Sequence, residues 1–100
     1  MRKYRTLCNT LECIFDTAVG YTEEEVRLNL LKDLEYQLFR DALAKDLEGA
    51  LDDTDLSWRM LLDEYDVGYF ESEEEAKQFV IENIVEPTLK AQAKFGSAKP

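Results

Sequence analysis

Apolar residues recur at helical spacing along most of the chain. In the first segment they follow the i, i+3, i+4, i+7 series that one face of an α-helix produces. Gly20 then supplies a residue that readily adopts positive φ, which is typical of a helix C-terminus. The pattern therefore predicts a first amphipathic helix. Its apolar face comprises Tyr4, Leu7, Cys8, Leu11, Ile14, Phe15, Ala18 and Val19.

The second helix has the clearest start signal. Thr22 is a suitable N-cap, and Glu25 three residues later completes a capping box. No Pro interrupts the chain as far as Leu51, so this segment predicts the longest helix, although its apolar stripe drifts between two rows. We leave open whether the helix is continuous from Glu23 or is kinked or broken near residues 40–46.

A third helix is predicted from Leu56 to about Tyr65, with Trp58 facing inward. The acidic run before it, Asp52 to Asp55, offers side chains that accept hydrogen bonds at a helix N-terminus. A turn over 66–68 follows.

A second capping box starts the fourth helix, with Ser72 as the cap and Glu75 as its partner. Pro87 lacks a backbone N–H, so this helix should end or kink there. The fold class that fits is all-α: a single-domain antiparallel bundle of about four helices over residues 1–95, followed by a flexible tail, 96–100.

Composition removes several kinds of chemistry. The chain of 100 residues contains no His, which excludes Ser–His and Cys–His nucleophile pairs and His-containing zinc sites. Cys8 and Cys13 point about 140° apart on a helix, so a disulfide would require the helix to break. Because neither a phosphate-binding Gly-rich loop nor a nucleophile elbow is present, we expect no enzyme and no cofactor. Cys8 is best interpreted as a small buried hydrophobe.

Charge and hydropathy limit the classes of binding partner and the cellular compartment that we expect for this chain. The 22 acidic and 12 basic residues give a net charge of -10, which disfavours direct binding to nucleic acid or to an anionic membrane. The N-terminal stretch lacks the apolar core of a signal peptide, and no apolar run reaches the length of a membrane span. We therefore expect a cytoplasmic protein.

The densest acidic block, 63–75, contains seven acids, no base and three interleaved aromatic residues. Carboxylates that steer and aromatics that anchor predict a docking surface for an unknown protein with a basic surface. A solvated loop with its aromatics turned inward is the simpler structural interpretation. The candidate partner-binding residues are Asp63, Glu64, Asp66, Tyr69, Phe70, Glu71, Glu73 and Glu74.

The function that follows is a small acidic protein acting through protein–protein interaction, in a regulatory or adaptor role. The alternatives are an immunity-type inhibitor that mimics nucleic acid and a structural homo-oligomeric subunit, for example a homodimer.

A carboxylate site for a divalent cation is a weaker alternative. Asp63, Gly68 and Glu74 match positions one, six and twelve of a calcium-binding loop, but Tyr65 and Val67 stand where carboxylates are needed. We therefore assign no residue as a metal ligand.

Overall fold

The computed structural model describes residues 3–16 and 20–95, and over these ranges the secondary structure is entirely helical. The all-α class is confirmed, but the described residues form five helices instead of about four. The expected tail, 96–100, lies outside the described residues. The helices are α1 (5–15), α2 (Glu23–Asp33), α3 (Gln37–Leu51), α4 (Trp58–Glu64) and α5 (73–95).

The long second helix is interrupted, but not near residues 40–46. α2 ends at Asp33, and Tyr36 has an extended backbone before α3 begins, so the segment is neither continuous from Glu23 to Leu51 nor broken near residues 40–46, the two possibilities left open above. Arg40, only 3% exposed, donates from Nη1 to the carbonyl oxygens of Leu34 at 2.8 Å and Glu35 at 3.3 Å. A guanidinium thus satisfies carbonyl groups at the end of α2, where a positive charge is also favourable.

The interruption explains the drifting apolar stripe. Leu30 on α2 and Leu34 in the turn after it are buried in the core. Leu43 and Leu47 on α3 are buried in the same core. A single straight helix could not turn both rows towards one core, because their directions differ around the helix axis. Breaking the helix allows each half to face inward.

The longest helix is α5, not the second helix. The prediction that the helix ends or kinks at Pro87 is wrong as to an end, because the helix continues through Pro87 to Phe95. The five residues before Glu86 form a π-helical turn, Ile81–Val85. A proline ring clashes with the carbonyl four residues earlier, and a wider turn is a common way to accommodate such a disruption. α1 contains a second π-helical turn, Leu11–Phe15, and ends there. The predicted extension to Val19 reaches residues outside those described.

Contacts with α3 fix the N-terminal end of α1. The Leu7 backbone N–H donates to Asp46 Oδ2 at 3.0 Å, so a carboxylate from α3 caps α1. The Tyr4 hydroxyl donates to Asp53 Oδ2 at 2.7 Å, and Lys3 Nζ lies 3.2 Å from the same oxygen. The Tyr4 hydroxyl, followed by the Asp55 backbone N–H and Lys3, holds the pKa of Asp53 below its ordinary value.

The core draws apolar side chains from every helix. Phe79 of α5 connects two parts of it, because its ring centroid lies 6.2 Å from that of Phe15 and 5.3 Å from that of Phe70. Cys8 is buried within α1 and Cys13 is exposed, and both are free thiols. The largest fully buried apolar side chains of the described residues are Leu7, Leu11, Leu30, Leu34, Leu43, Leu62, Val80 and Ile84.

Candidate functional site

A carboxylate from α5 organises the N-terminus of α4. Ser57 is the N-cap of α4: its hydroxyl accepts the Met60 N–H at 3.2 Å and donates to Glu73 Oε2 at 2.6 Å. Glu73 Oε1 accepts the backbone N–H of Trp58 at 2.8 Å and that of Arg59 at 3.4 Å. These N–H groups have no partner within the helix itself. Ser57, and not the acidic run 52–55, therefore caps α4, with Glu73 completing the cap.

The same contacts change the acidity of Glu73. The Ser57 hydroxyl, followed by the backbone N–H groups of Trp58 and Arg59, holds the pKa of the Glu73 carboxyl below its ordinary value. Each of these donors stabilises the ionised form more than the neutral form. Its neighbour Glu74 is exposed, and its side chain has no hydrogen-bond partner in the described part of the chain. Adjacent glutamates thus have different roles.

The C-terminus of α4 is closed by a Schellman motif. Asp66 adopts the left-handed conformation with φ of 54°, the Val67 N–H donates to the Leu62 carbonyl at 2.9 Å, and the Asp66 N–H donates to the Asp63 carbonyl at 3.1 Å. The left-handed position more often holds Gly, since it is strained for other residues. This motif points the exposed Asp66 away from the core and starts the loop that carries Tyr69 and Phe70.

Phe70 is held in place from two sides. Its ring packs against Phe79, and its carbonyl oxygen accepts a hydrogen bond from Arg59 Nε at 2.9 Å. Gly68 lies so close that a Cβ there would meet the Phe70 ring at 3.3 Å. Phe70 is therefore half-buried and belongs to the core, while the next residue back, Tyr69, remains 77% exposed.

These contacts produce a cleft of about 320 Å³ between α4 and the 65–72 loop. Met60, which is 72% exposed, lines this cleft together with the exposed Tyr69. Both are large side chains whose apolar surface is in contact with solvent. We call this the α4 cleft. Its lining residues are Ser57, Arg59, Met60, Asp63, Tyr69, Phe70 and Glu73.

The structure brings together only part of the predicted partner-binding set. Asp63, Tyr69, Phe70 and Glu73 line the α4 cleft. On the other side of the two aromatics, Glu71 lines a shallow hollow together with Glu75, Gln78 and Glu82. Glu64, Asp66 and Glu74 are exposed but do not line the α4 cleft.

Met60 and Arg59 are the cleft residues that sequence reasoning missed. Met60 lies outside the inward stripe formed by Trp58, Leu61, Leu62 and Tyr65, so it is an apolar residue at a position where a polar one is expected. That mismatch was the available signal. Arg59 gave no such signal, because its bond to the Phe70 carbonyl spans a loop.

The calcium-loop register does not gather its residues. Its third position, Tyr65, is buried in the core, while Asp63 and Glu74 lie exposed on different helices. Over residues 3–16 and 20–95, no three His, Cys, Asp or Glu side chains are grouped so as to hold a metal ion. Within the same ranges, every helix is too short or too polar to cross a bilayer.

Comparison of the chain with protein-family models, with curated proteins and with solved structures finds no match in any of the three. The function of the chain is therefore inferred from the geometry and charge of the α4 cleft.

Proposed function

We propose that this chain is a small acidic cytoplasmic protein that acts by binding another protein, in a regulatory or adaptor role. The α4 cleft and the acidic surface around it would dock a partner with a basic surface. The observation that carries the proposal is the exposure of Met60 and Tyr69 in a cleft bordered by carboxylates. Large side chains that water surrounds in the free protein are those that gain most from burial in an interface.

Charge around the cleft supports a basic partner. The segment 63–75 carries seven acids and no base. Among the described residues that line the cleft, Arg59 is the one cation, and its Nε–H already donates to the Phe70 carbonyl. Exposed carboxylates of this kind raise the association rate and act over about 8 Å at physiological salt. The carboxylates would select and steer the partner, while Met60 and Tyr69 would hold it.

Glu73 is not among the carboxylates that we propose steer the partner. Its carboxylate completes the cap of α4, so its replacement would disturb the fold as well as the surface. Glu75 is left out as well, because its carboxylate accepts the Glu71 backbone N–H at 3.2 Å. The remaining exposed acids of the segment can be neutralised without loss of such bonds. The steering set that we propose is Asp63, Glu64, Asp66, Glu71 and Glu74.

The test is affinity capture from the native host with three baits in parallel: the unaltered protein, a site variant and a control variant. The site variant neutralises the steering set to Asn or Gln. The control variant removes the same number of charges from exposed acids outside this surface. The control positions are Glu24, Glu48, Asp52, Asp55 and Glu86.

We expect a protein with a basic surface to be retained by the unaltered and control baits and lost from the site variant. Replacing Tyr69 by Ser should weaken the same capture, by roughly 30-fold if Tyr69 is an anchor worth about 2 kcal/mol. Retention by all three baits alike would contradict the proposal. If nucleic acid competes with this chain for binding to the captured protein, the alternative of a nucleic-acid-mimicking inhibitor is favoured instead.

A specific observation also favours the homo-oligomeric alternative. Leu38 is 86% exposed at the start of α3, and Tyr36 is exposed beside it. A pair of such patches would be covered in a symmetric dimer. Sedimentation of the unaltered protein and of Leu38→Ser distinguishes the cases: a monomer in both removes this alternative, and a dimer lost in the variant supports it.

A further inference from the structure

A second groove, between α2 and α5, has the opposite charge to the α4 cleft. Arg27 and Leu31 lie four residues apart on α2, and Glu35 follows in the turn after α2, so the three residues line one side of the groove. Pro87, Lys90, Ala91 and Lys94 form the facing side on α5, with Phe95 at its end. The groove between the two sides has a volume of about 430 Å³. We call it the α2/α5 groove.

The groove has an apolar floor and a cationic rim. Leu31 and Phe95 are exposed in it beside the buried Ala91, whereas Arg27, Lys90 and Lys94 are exposed cations. Among the described residues, Glu35 is the one acid that lines it. The described lining thus has three cations and a single anion, in a chain with 22 acids and 12 bases.

Two of the three exposed cations are not used by the described part of the fold. Among the described residues, neither Arg27 nor Lys90 has an ion-pair or hydrogen-bond partner for its side chain. Lys94 Nζ lies 5.3 Å from the centroid of the Phe95 ring, which is 45% exposed. The exposed Lys94 therefore places a positive charge at the end of the groove beside an aromatic surface, where an acidic partner residue would be favoured.

The dimensions match a short helix. The α5 side of the groove runs seven residues from Pro87 to Lys94, which is about 10 Å at 1.5 Å per residue. Two turns of a partner helix, with apolar residues at i, i+4 and i+7, would span the same length and could lay those residues on Leu31, Ala91 and Phe95. Acidic residues on both flanks would then meet Arg27 on one side and Lys90 and Lys94 on the other.

We infer that the α2/α5 groove binds an acidic amphipathic helix of a partner protein by helix-in-groove recognition. Charge complementarity selects this occupant over two others. A second copy seated in this groove would bring its whole net charge of -10 close to a molecule of the same net charge, a cost that a short acidic segment does not carry. An anionic membrane would face not only the groove but also the acidic surface beyond it. A short segment contacts the groove alone.

The probe is a synthetic peptide of about 14 residues, blocked at both ends, with Leu at i, i+4 and i+7 and Glu on both flanks. Fluorescence anisotropy measures its affinity for the full chain. One control peptide replaces each Leu by Gln, and another replaces each Glu by Lys. The protein variants are Lys90→Glu with Lys94→Glu, and a matched pair outside the groove, Lys32→Glu with Lys45→Glu.

We expect the acidic Leu peptide to bind and both control peptides to bind much less. The groove variant should weaken binding by roughly tenfold relative to the matched pair, since both carry the same total charge. Circular dichroism and the fluorescence of Trp58 verify that every variant is folded.

Three results would overturn the inference. The first is no binding of the acidic Leu peptide, and the second is an equal loss of affinity for it in the two protein variants. The third is that the control peptide with Lys in place of Glu binds as well as the acidic peptide. If sedimentation shows a dimer that only the groove variant dissolves, the occupant is a second copy and our assignment is wrong. If the chain co-sediments with phosphatidylserine vesicles through Lys90 and Lys94, a membrane occupies the groove instead.

Discussion

Replacing Ser57 by Ala tests whether α4 and α5 are joined as the structure indicates. The change removes the acceptor for the Met60 N–H and the donor to Glu73, at 3.2 Å and 2.6 Å respectively. Loss of an N-cap side chain costs about 1 kcal/mol of unfolding free energy, with a range of roughly 0.5–2 kcal/mol. For a domain of this size, about 1 kcal/mol lowers the midpoint of thermal unfolding by roughly 4–8 °C.

The loss should depend on pH. Because the pKa of Glu73 is held below its ordinary value in the fold, its contribution is present at neutral pH and is lost as the pH falls through the pKa of the folded state. The Ser57 hydroxyl is the largest cause of that lowering. The gap in stability between the unaltered protein and Ser57→Ala should therefore be widest near pH 7 and should narrow below about pH 4.

The assay is thermal unfolding followed by circular dichroism, from pH 7 down to about pH 3, with the fluorescence of Trp58 as a local probe. Thr54→Ala is the matched control, because Thr54 is exposed and its hydroxyl makes no hydrogen bond in the described structure. An unchanged midpoint for Ser57→Ala would refute the cap. A gap of the same size at every pH would refute its coupling to Glu73.

Three further predictions concern neighbouring features of the fold and the site. Glu73→Gln should lower the midpoint of urea unfolding, whereas Glu74→Gln should not, because only Glu73 accepts hydrogen bonds from α4; equal midpoints would contradict this. Arg40→Leu should cost about 2–3 kcal/mol in the same assay, because two carbonyl groups lose a charged donor; a loss below about 0.5 kcal/mol would show that water replaces the guanidinium. Asp66→Gly should raise stability by up to about 1 kcal/mol, since Gly adopts the left-handed conformation without strain, while slowing association with the captured partner; lower stability would contradict the Schellman motif.

Local signals made the starts of α2 and α5 predictable. The Thr22 capping box forms as expected, with Glu25 N–H donating to Thr22 Oγ1 at 3.1 Å and the Thr22 N–H donating to Glu25 Oε1 at 2.9 Å. At Ser72 only half of the expected box forms. The Glu75 N–H donates to Ser72 Oγ, but the Glu75 carboxylate accepts from the Glu71 N–H instead of the cap residue. Such motifs are encoded within four residues, so a sequence reveals them.

Contacts between distant residues were not predictable in this way. The break after α2 depends on Arg40 reaching back to Leu34 and on the packing of both apolar rows. Neither Gly nor Pro marks it, and the only sequence signal was the drift of the stripe. At Pro87 the reverse occurred: the sequence signal for a helix end is present, but α5 continues after a π-helical turn that precedes the proline.

The candidate site shows the same division. Its acidic and aromatic character was visible in the sequence, and the exposed positions of Asp63 and Tyr69 agree with that interpretation. The structural use of Glu73 and the exposure of Met60 depend on how α4 and α5 meet. The sequence therefore identified a candidate segment, while tertiary contacts distinguish Glu73, whose carboxylate caps α4, from carboxylates such as Asp63 and Glu74 that are exposed.

The most direct measurement of the central proposal is the rate of association between this chain and its captured partner as ionic strength rises. The unaltered protein and the control variant should bind fast at low salt and should slow steeply as salt is added. The variant with Asp63, Glu64, Asp66, Glu71 and Glu74 neutralised should bind slowly and respond little to salt. If all three proteins follow the same curve, the acidic surface at the α4 cleft does not steer the partner, and the proposed function is wrong.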